Sequence, residues 1–296
     1  MTKPSGHPLR ADVALVNRGM VRSRALAQRL IESGAVEVVA AGASTPVERS
    51  SQPVLPDQEL RLQPSPEGRF VSRGGAKLEP ALARAVMDCT GITALDVGMS
   101  TGGFTDCLLH HGASRVVGIE VGHGQLDQRL AADARVTCFE KTHVRDVDPS
   151  WFAAREVDAG RFALVVVDLS FISTVGLLGH LAGIAADGTL LLALIKPQFE
   201  LGPDARNAKG IVRAGADIAG LREGAQAAAG KAGWLPLDWF ASDLRGTDGN
   251  QEYFLVARRE SAQSTQSPLP EAGVTPLAAV RRVGPDPSLL DPYRTT

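Results

Sequence analysis

Three charged side chains stand beside apolar runs, where a sheet would gather them at one edge. VVVDLSF places Asp168 directly after a strand-like run, and LLALIKPQFE places Lys196 in the same position, with Pro197 ending the strand. GNQEYFLVA places Glu252 at the start of another run; if that strand is antiparallel, its start lies at the edge where the parallel strands end. One such residue alone is more often a strand-end ion pair. Two acids and a lysine at a single edge suit acid–base and charge-positioning chemistry.

A fourth segment, LDVGMSTGGFTDCLL, reads strand, turn, helix. Asp96 closes the strand and Gly98, Gly102 and Gly103 line the turn, where missing side chains let a backbone approach a ligand. The spacing is neither GxGxxG nor GxxxxGK[ST], which disfavours a dinucleotide fold and a phosphate-binding P-loop. Glu120 ends the next strand, VVGIE, about where doubly wound folds place the acid that grips ribose hydroxyls. A ribose-binding acid and a glycine loop without a phosphate-binding lysine suit S-adenosylmethionine (SAM), which has an adenosine and a carboxylate and no phosphate.

These residues need a scaffold, and the alternation of elements supplies one. TALDVG, RVVGIEV, RVTCFE, FALVVVDL, GTLLLALI and EYFLVAR read as strands with helical patterns between most of them. Nearly continuous apolar strands separated by helices predict an α/β fold, a Rossmann-like sheet covered on both faces, over residues 71–259. EYFLVARR is expected as its antiparallel edge strand. Residues 8–62 read as a separate small α+β unit. Ala11–Arg18 is helical, Ser23 caps a second helix ending at Gly34, and VEVVA and ELRL alternate as strands. This region holds Arg10, Arg18, Arg22, Arg24 and Arg29 against one acid, Asp12, which reads as a solvated face or a phosphate-contacting surface. QPSPEGRF (63–70) is a linker by composition, and residues 260–296, with six of the 18 prolines, a disordered tail.

Composition narrows the function classes. The 296-residue chain is 44% hydrophobic and carries a net charge of -2, so any affinity for nucleic acid must come from local charge. Three cysteines, Cys89, Cys107 and Cys138, lie far apart without metal-ligand spacing, which fits a reducing cytoplasm and no structural zinc. The start lacks a signal-peptide core, and the longest apolar stretch is too short to cross a bilayer.

The motifs SRGGAKL, DVGxSTGGFTD, VGHGQL, DLSFIS, KPQFE and NQEYF together resemble the TlyA (haemolysin A) family of ribosomal RNA methyltransferases, whose catalytic domain is FtsJ-like. The N-terminal RADxxLVxxGMVxSRxxAxxLIxxGxV resembles an S4-like RNA-binding domain, and the likeness spans about residues 8–259. It implies SAM-dependent 2'-O-methylation of a cytidine in large-subunit rRNA, and in longer members small-subunit rRNA too. Its Lys-Asp-Lys-Glu tetrad falls on Lys77, Asp168, Lys196 and Glu252. The implied SAM contacts are Asp96, Gly98, Ser100, Thr101, Gly102, Gly103, Phe104, Glu120, Val121, His143 and Asp168; the implied RNA contacts are Arg10, Arg18, Arg22, Ser23, Arg24, Arg29 and Arg73.

The chemistry is consistent with that assignment. A ribose hydroxyl is a poor nucleophile and needs a base beside it. A lysine serves only where its neutral form is populated, which a neighbouring cation favours. Lys196 is the expected base and Lys77 the neighbour, with Asp168 orienting Lys196 and Glu252 positioning Lys77 and the ribose. The leaving group is a neutral thioether, so no metal is expected. Two departures stand out: VEVVAAGASTPVERS lacks the basic pattern common in the N-terminal domain, and His143 replaces an expected asparagine. Three other readings compete. Base methylation favours an NPPY- or DPPY-like loop where this chain has DLSF; an rRNA-binding assembly factor has no need of Glu120; a pore-forming haemolysin needs a membrane segment that the sequence lacks.

Overall fold

In the first third of the chain, alternation and capping build two helices against small sheets. The computed structural model describes residues 7–21, 23–40, 43–63 and 66–260. Strand β1 (Leu9–Arg10) leads into α1 (Ala11–Asn17), and Ser23 Oγ accepts from Leu26 N to cap α2 (Arg24–Glu32). Then come β2 (Val36–Ala40), β3 (Ala43–Pro46), β4 (Pro53–Val54) and β5 (Glu59–Leu62). Leu26 and Leu30 from α2 meet Leu15 from α1, Val36 and Val38 from β2 and Leu60 from β5 in a core of their own. The two predicted helices and two predicted strands are present; β1, β3 and β4 were not anticipated.

The single-turn α3 (Pro66–Arg69) leads to α4 (Arg73–Arg84). Phe70, read from composition as the end of a linker, is 1% exposed and packs with Leu78, Leu82 and Leu108. Burying such a side chain stabilises by roughly 1.5–3 kcal/mol. The packed core of the larger sheet therefore takes in Phe70.

The rest is one seven-stranded sheet with helices between its strands. In chain order these are β6 (Thr93–Val97), α5 (Gly103–His110), β7 (Arg115–Ile119), α6 (Gln128–Ala131), β8 (Val136–Phe139), α7 (Pro149–Ala153), β9 (Phe162–Val167), α8 (Leu178–Ile184), β10 (Leu190–Ile195), α9 (Pro197–Glu200), α10 (Ile218–Lys231), β11 (Trp234–Ala241) and β12 (Tyr253–Arg259). The spatial order is β11-β12-β10-β9-β6-β7-β8. β6 to β10 run parallel, and β12 is antiparallel to both β10 and β11. Side-chain period two divides the core. Leu95, Val97, Val165, Val167 and Ile195 face one buried layer, while Ala94, Leu164, Val166, Leu192 and Phe254 face the other.

All six predicted strands form. EYFLVARR is antiparallel as expected, yet it is no edge: β11 covers it, with a bulge between Pro236 and Asp238. Proline and bulge disguise β11 in the sequence, and both belong on an edge strand. Of residues 260–296, read as a tail, Glu260 donates its N–H to the Gly233 carbonyl, and 261–296 lie outside the described residues.

Candidate active site and cofactor cleft

The strand order reverses between β6 and β9, and such a switch point opens a crevice at the carboxyl ends of the strands. Gly98 (φ +87°) and Gly102 (φ +88°) take left-handed backbone there. A Cβ on Gly98 would stand 2.5 Å from the main-chain oxygen of Asp168, so the loop can approach β9 only without a side chain. A Cβ on Gly102 would strike Leu130 and Leu126. The glycine spacing is thus a packing requirement as well as an opening. The cleft that results holds about 160 Å³ between Ser72, Gly74, Gly98, Met99, Ser100, Thr101, Gly103, Phe104, Asp168, Ser170 and Lys196.

Glu120 is 8% exposed and anchors this loop: one oxygen accepts from Ser100 N at 2.8 Å, the other from Gly122 N at 2.7 Å. Each carboxylate oxygen keeps a lone pair for a ribose hydroxyl. Asp96 is 1% exposed; Oδ2 accepts from Thr105 Oγ1 at 2.7 Å, while Oδ1 is buried without a hydrogen-bond donor. Burial, with the nearby Asp168 and Glu120 carboxylates, outweighs the Thr105 bond and pushes its carboxyl up to about 7. Asp96 does not itself line the cleft, but this buried acceptor stands two residues before the lining Gly98 and is open to a cation or donor.

The four tetrad positions assemble as two ion pairs. Lys77 Nζ donates to Glu252 Oε2 at 2.5 Å, joining α4 to the start of β12 across 175 residues of sequence. Lys196 Nζ lies 2.7 Å from Asp168 Oδ1 and donates to Ser170 Oγ at 3.0 Å. The Lys196–Asp168 contact lacks hydrogen-bond alignment, so Asp168 Oδ1 also has no directed donor. Register explains the meeting: Ile195 pairs with Tyr253, so Lys196 and Glu252 leave the sheet side by side. Each side chain in the Lys77–Glu252 pair is below 10% exposed, whereas Asp168 keeps 23%. The second pair therefore opens to the cleft, and the first stands behind it.

Other anticipated residues are placed less uniformly. Gly102 faces Leu130, and Glu120, Val121 and His143 flank the cleft without lining it. Val121 is 63% exposed. His143 follows Thr142, whose N–H donates to the Glu120 carbonyl, and its Nδ1 accepts from Arg145 N at 3.1 Å. In the N-terminal region Asp12 is fully buried, accepting from Arg10 at 3.0 and 3.1 Å, Arg24 at 3.0 Å and Gln28 at 2.9 Å. The Arg10 guanidinium, with Gln28 and Arg24, holds its carboxyl far below the ordinary range despite burial. Arg10 and Arg24 remain 49% and 57% exposed, so their charges are fixed in direction and face solvent. Arg18 instead donates to the carbonyls of Gln58 and Leu55 and braces the small unit. Arg29 lies on α2, and Arg22 lies outside the described residues. Arg73 lies on α4 and donates to the Arg245 carbonyl at 2.9 Å, apart from the other arginines in sequence.

Four residues that line the cleft were not among the expected contacts: Ser72, Gly74, Met99 and Ser170, the last followed by Phe171. Phe171 adopts φ +67° and is 90% exposed, its ring centroid 5.3 Å from that of Phe199. The available signal was an aromatic immediately after an acid–serine strand end, which is unusual in a water-facing loop. Among the described residues, no three His, Cys, Asp or Glu side chains converge as metal ligands would, and no helix is long and apolar enough to cross a membrane.

The family model for FtsJ-like methyltransferases matches residues 70–259, starting at the buried Phe70. The 16S/23S rRNA (cytidine-2'-O)-methyltransferase TlyA of Mycobacterium tuberculosis is 38% identical over 257 residues, covering 85% of this chain and 90% of that protein. A candidate rRNA methyltransferase of Bacillus subtilis, YqxC, is 34% identical over 83% of this chain and 84% of its own. A solved structure from Streptococcus thermophilus, described as a candidate hemolysin, is 33% identical and covers 86% of this chain and 89% of its own, with a TM-score of 0.64. Sheet order, glycine loop, paired lysines and relatedness along most of the chain place this protein among the FtsJ-like methyltransferases, as a member of the TlyA family.

Proposed function

We propose that this protein is a cytoplasmic SAM-dependent methyltransferase acting on the 2'-hydroxyl of a cytidine in ribosomal RNA, chiefly of the large subunit. The observation that carries the reading is the double ion pair at one sheet edge beside the glycine cleft. The residues fit the cofactor. Asp96 Oδ1 offers a buried acceptor to an ammonium, the glycine loop admits a backbone-hugging chain, and Glu120 offers lone pairs to ribose hydroxyls. The cleft is smaller than the ~300 Å³ usual for a whole ligand of this size. It suits the amino-acid end of SAM, leaving the adenosine to the flank formed by Glu120, Val121 and His143.

SAM supplies an electrophilic methyl on a sulfonium and leaves as a neutral thioether. Lys196, in its neutral form, takes the hydroxyl proton as the new oxygen–carbon bond forms and the carbon–sulfur bond breaks. Asp168 and Ser170 then hold the resulting ammonium. Lys77, paired with Glu252, stands behind the Lys196–Asp168 pair and braces it. Phe171, next to the cleft-lining Ser170, presents an exposed ring, and RNA-modifying enzymes stack unpaired bases on such faces. The half-exposed Arg10 and Arg24 suit the phosphates of the same substrate, as free RNA or within a ribosomal subunit.

The test is transfer of a labelled methyl group from SAM to rRNA, followed by mapping of alkali-resistant linkages. A 2'-O-methylcytidine in large-subunit rRNA is the expected product, and small-subunit marks would widen the target. Label on a base, or none on any ribosomal substrate, would overturn the proposal.

A further inference from the structure

Two loops carry the cleft's reacting pair, and the sheet controls only their roots. β9 and β10 pair through Ala193 and Val167, one residue short of Asp168. Beyond that point, the Asp168 loop holds to β6 through Asp168 N and the Val97 carbonyl, 3.1 Å apart. It then runs through Ser170 and the left-handed Phe171 into the turn that starts α8. Such a backbone conformation is costly in a non-glycine residue and persists where surrounding contacts hold it.

The outer restraint is Glu200, the last residue of α9. One carboxylate oxygen accepts from Thr174 N at 2.8 Å and Val175 N at 3.2 Å; the other accepts from Ser173 Oγ at 2.6 Å. Ser173 Oγ in turn accepts from Gly176 N at 2.9 Å. Glu200 stands four residues after Lys196, and its contacts lie five to seven residues after Asp168. The two loops thus close a ring: sheet pairing and the Lys196–Asp168–Ser170 contacts at the base, Phe171 against Phe199 in the middle, Glu200 at the tip.

We infer that Glu200 is a positioning residue for methyl transfer, a clamp that fixes Ser170 and Phe171 relative to Lys196 and thereby the presentation of the target nucleotide. The inference rests on the proposed role of the Asp168–Lys196 pair. Glu200 itself does not line the cofactor cleft, so its removal deletes no direct cofactor contact.

Glu200→Ala and Glu200→Gln in the full chain separate this from general support of the fold. In Glu200→Ala, the peptide amides of residues 169–176 exchange with solvent faster. The single-turnover rate at saturating rRNA and SAM falls roughly 10- to 100-fold, the scale of a misplaced reacting group, while SAM affinity by calorimetry stays within about twofold because no cofactor contact is lost. Glu200→Gln keeps an amide oxygen for Thr174 and Val175, so exchange and rate stay within about threefold of the parent. An alanine variant with near-parental exchange or rate, a glutamine variant as slow as alanine, or a parallel fall in SAM affinity would overturn the clamp. A parent chain without methyl transfer would remove the functional reading instead, and the exchange arm would still decide whether Glu200 fixes the loop.

Discussion

The N-terminal unit and the catalytic sheet use the same device, a buried carboxylate, to opposite ends. Asp12 is fully buried and gathers partners from within 16 residues of itself, leaving Arg10 and Arg24 about half exposed. Glu252 is 2% exposed and takes Lys77 from 175 residues away into the interior with it. One carboxylate aims cations outward; the other hides one. Displayed charge reads a polyanion at a distance and loses strength with salt. Hidden charge keeps its strength and is costly to disturb, which suits a reacting centre.

The contrast breaks most visibly at Lys196. Lys196→Arg keeps the positive charge beside Asp168 but removes a side chain able to accept a proton. Single-turnover methyl transfer should fall about 10³-fold, within the range for losing a general base. SAM affinity should hold in calorimetry, and a near-normal rate would recast Lys196 as purely electrostatic.

A middle-sized effect is expected at Asp96, whose hidden charge is incomplete. With its carboxyl at about 7, the folded protein holds a proton that the unfolded chain releases near pH 4. This group's contribution to stability therefore falls as pH rises from about 4 to about 7, then levels. A ligand ammonium favours the ionised form, so SAM affinity should rise with pH across the same midpoint. Asp96→Asn should weaken SAM by about 1–3 kcal/mol at pH 8 and flatten that pH dependence. An unchanged calorimetric profile would detach Asp96 from the cofactor.

The smallest effect belongs to the displayed charges. Replacing Arg10 and Arg24 with alanine should raise the apparent KM for rRNA several-fold and reduce the salt slope of RNA affinity by about two phosphate contacts. SAM affinity should not move. Asp12→Asn sharpens the point: it leaves both charges in place but releases their direction, so RNA affinity should drop while the salt slope stays. An equal slope loss in both variants would mean that Asp12 does no more than support the fold.

Much of this was legible because buried parallel strands are apolar runs, and side chains that interrupt such runs stand out. Asp96, Glu120, Asp168 and Lys196 stand out in this way. Glu252 was found because an antiparallel strand must begin where its parallel neighbours end. β11 was missed because Pro236 and Asp238 break its alternation, so β12 was misplaced at the edge. Asp12 was read as one acid diluted among arginines, since composition counts charges without showing which are buried. Ser170 and Phe171 depend on a left-handed turn that no local pattern announces, and Glu200 on contacts between two separate loops.

The place of β12 also governs when the enzyme comes into being. It is the last strand of the described chain and lies inside the sheet, between β10 and β11. Until residues 253–259 have been synthesised, both neighbours present unpaired edges, an exposure that favours misassembly. Glu252 arrives with the same strand, so Lys77 has no partner before then. A nascent or prematurely ended chain can form the cofactor loop and still hold no completed reacting centre. Closing the sheet between β10 and β11 and completing the Lys77–Glu252 pair are one event.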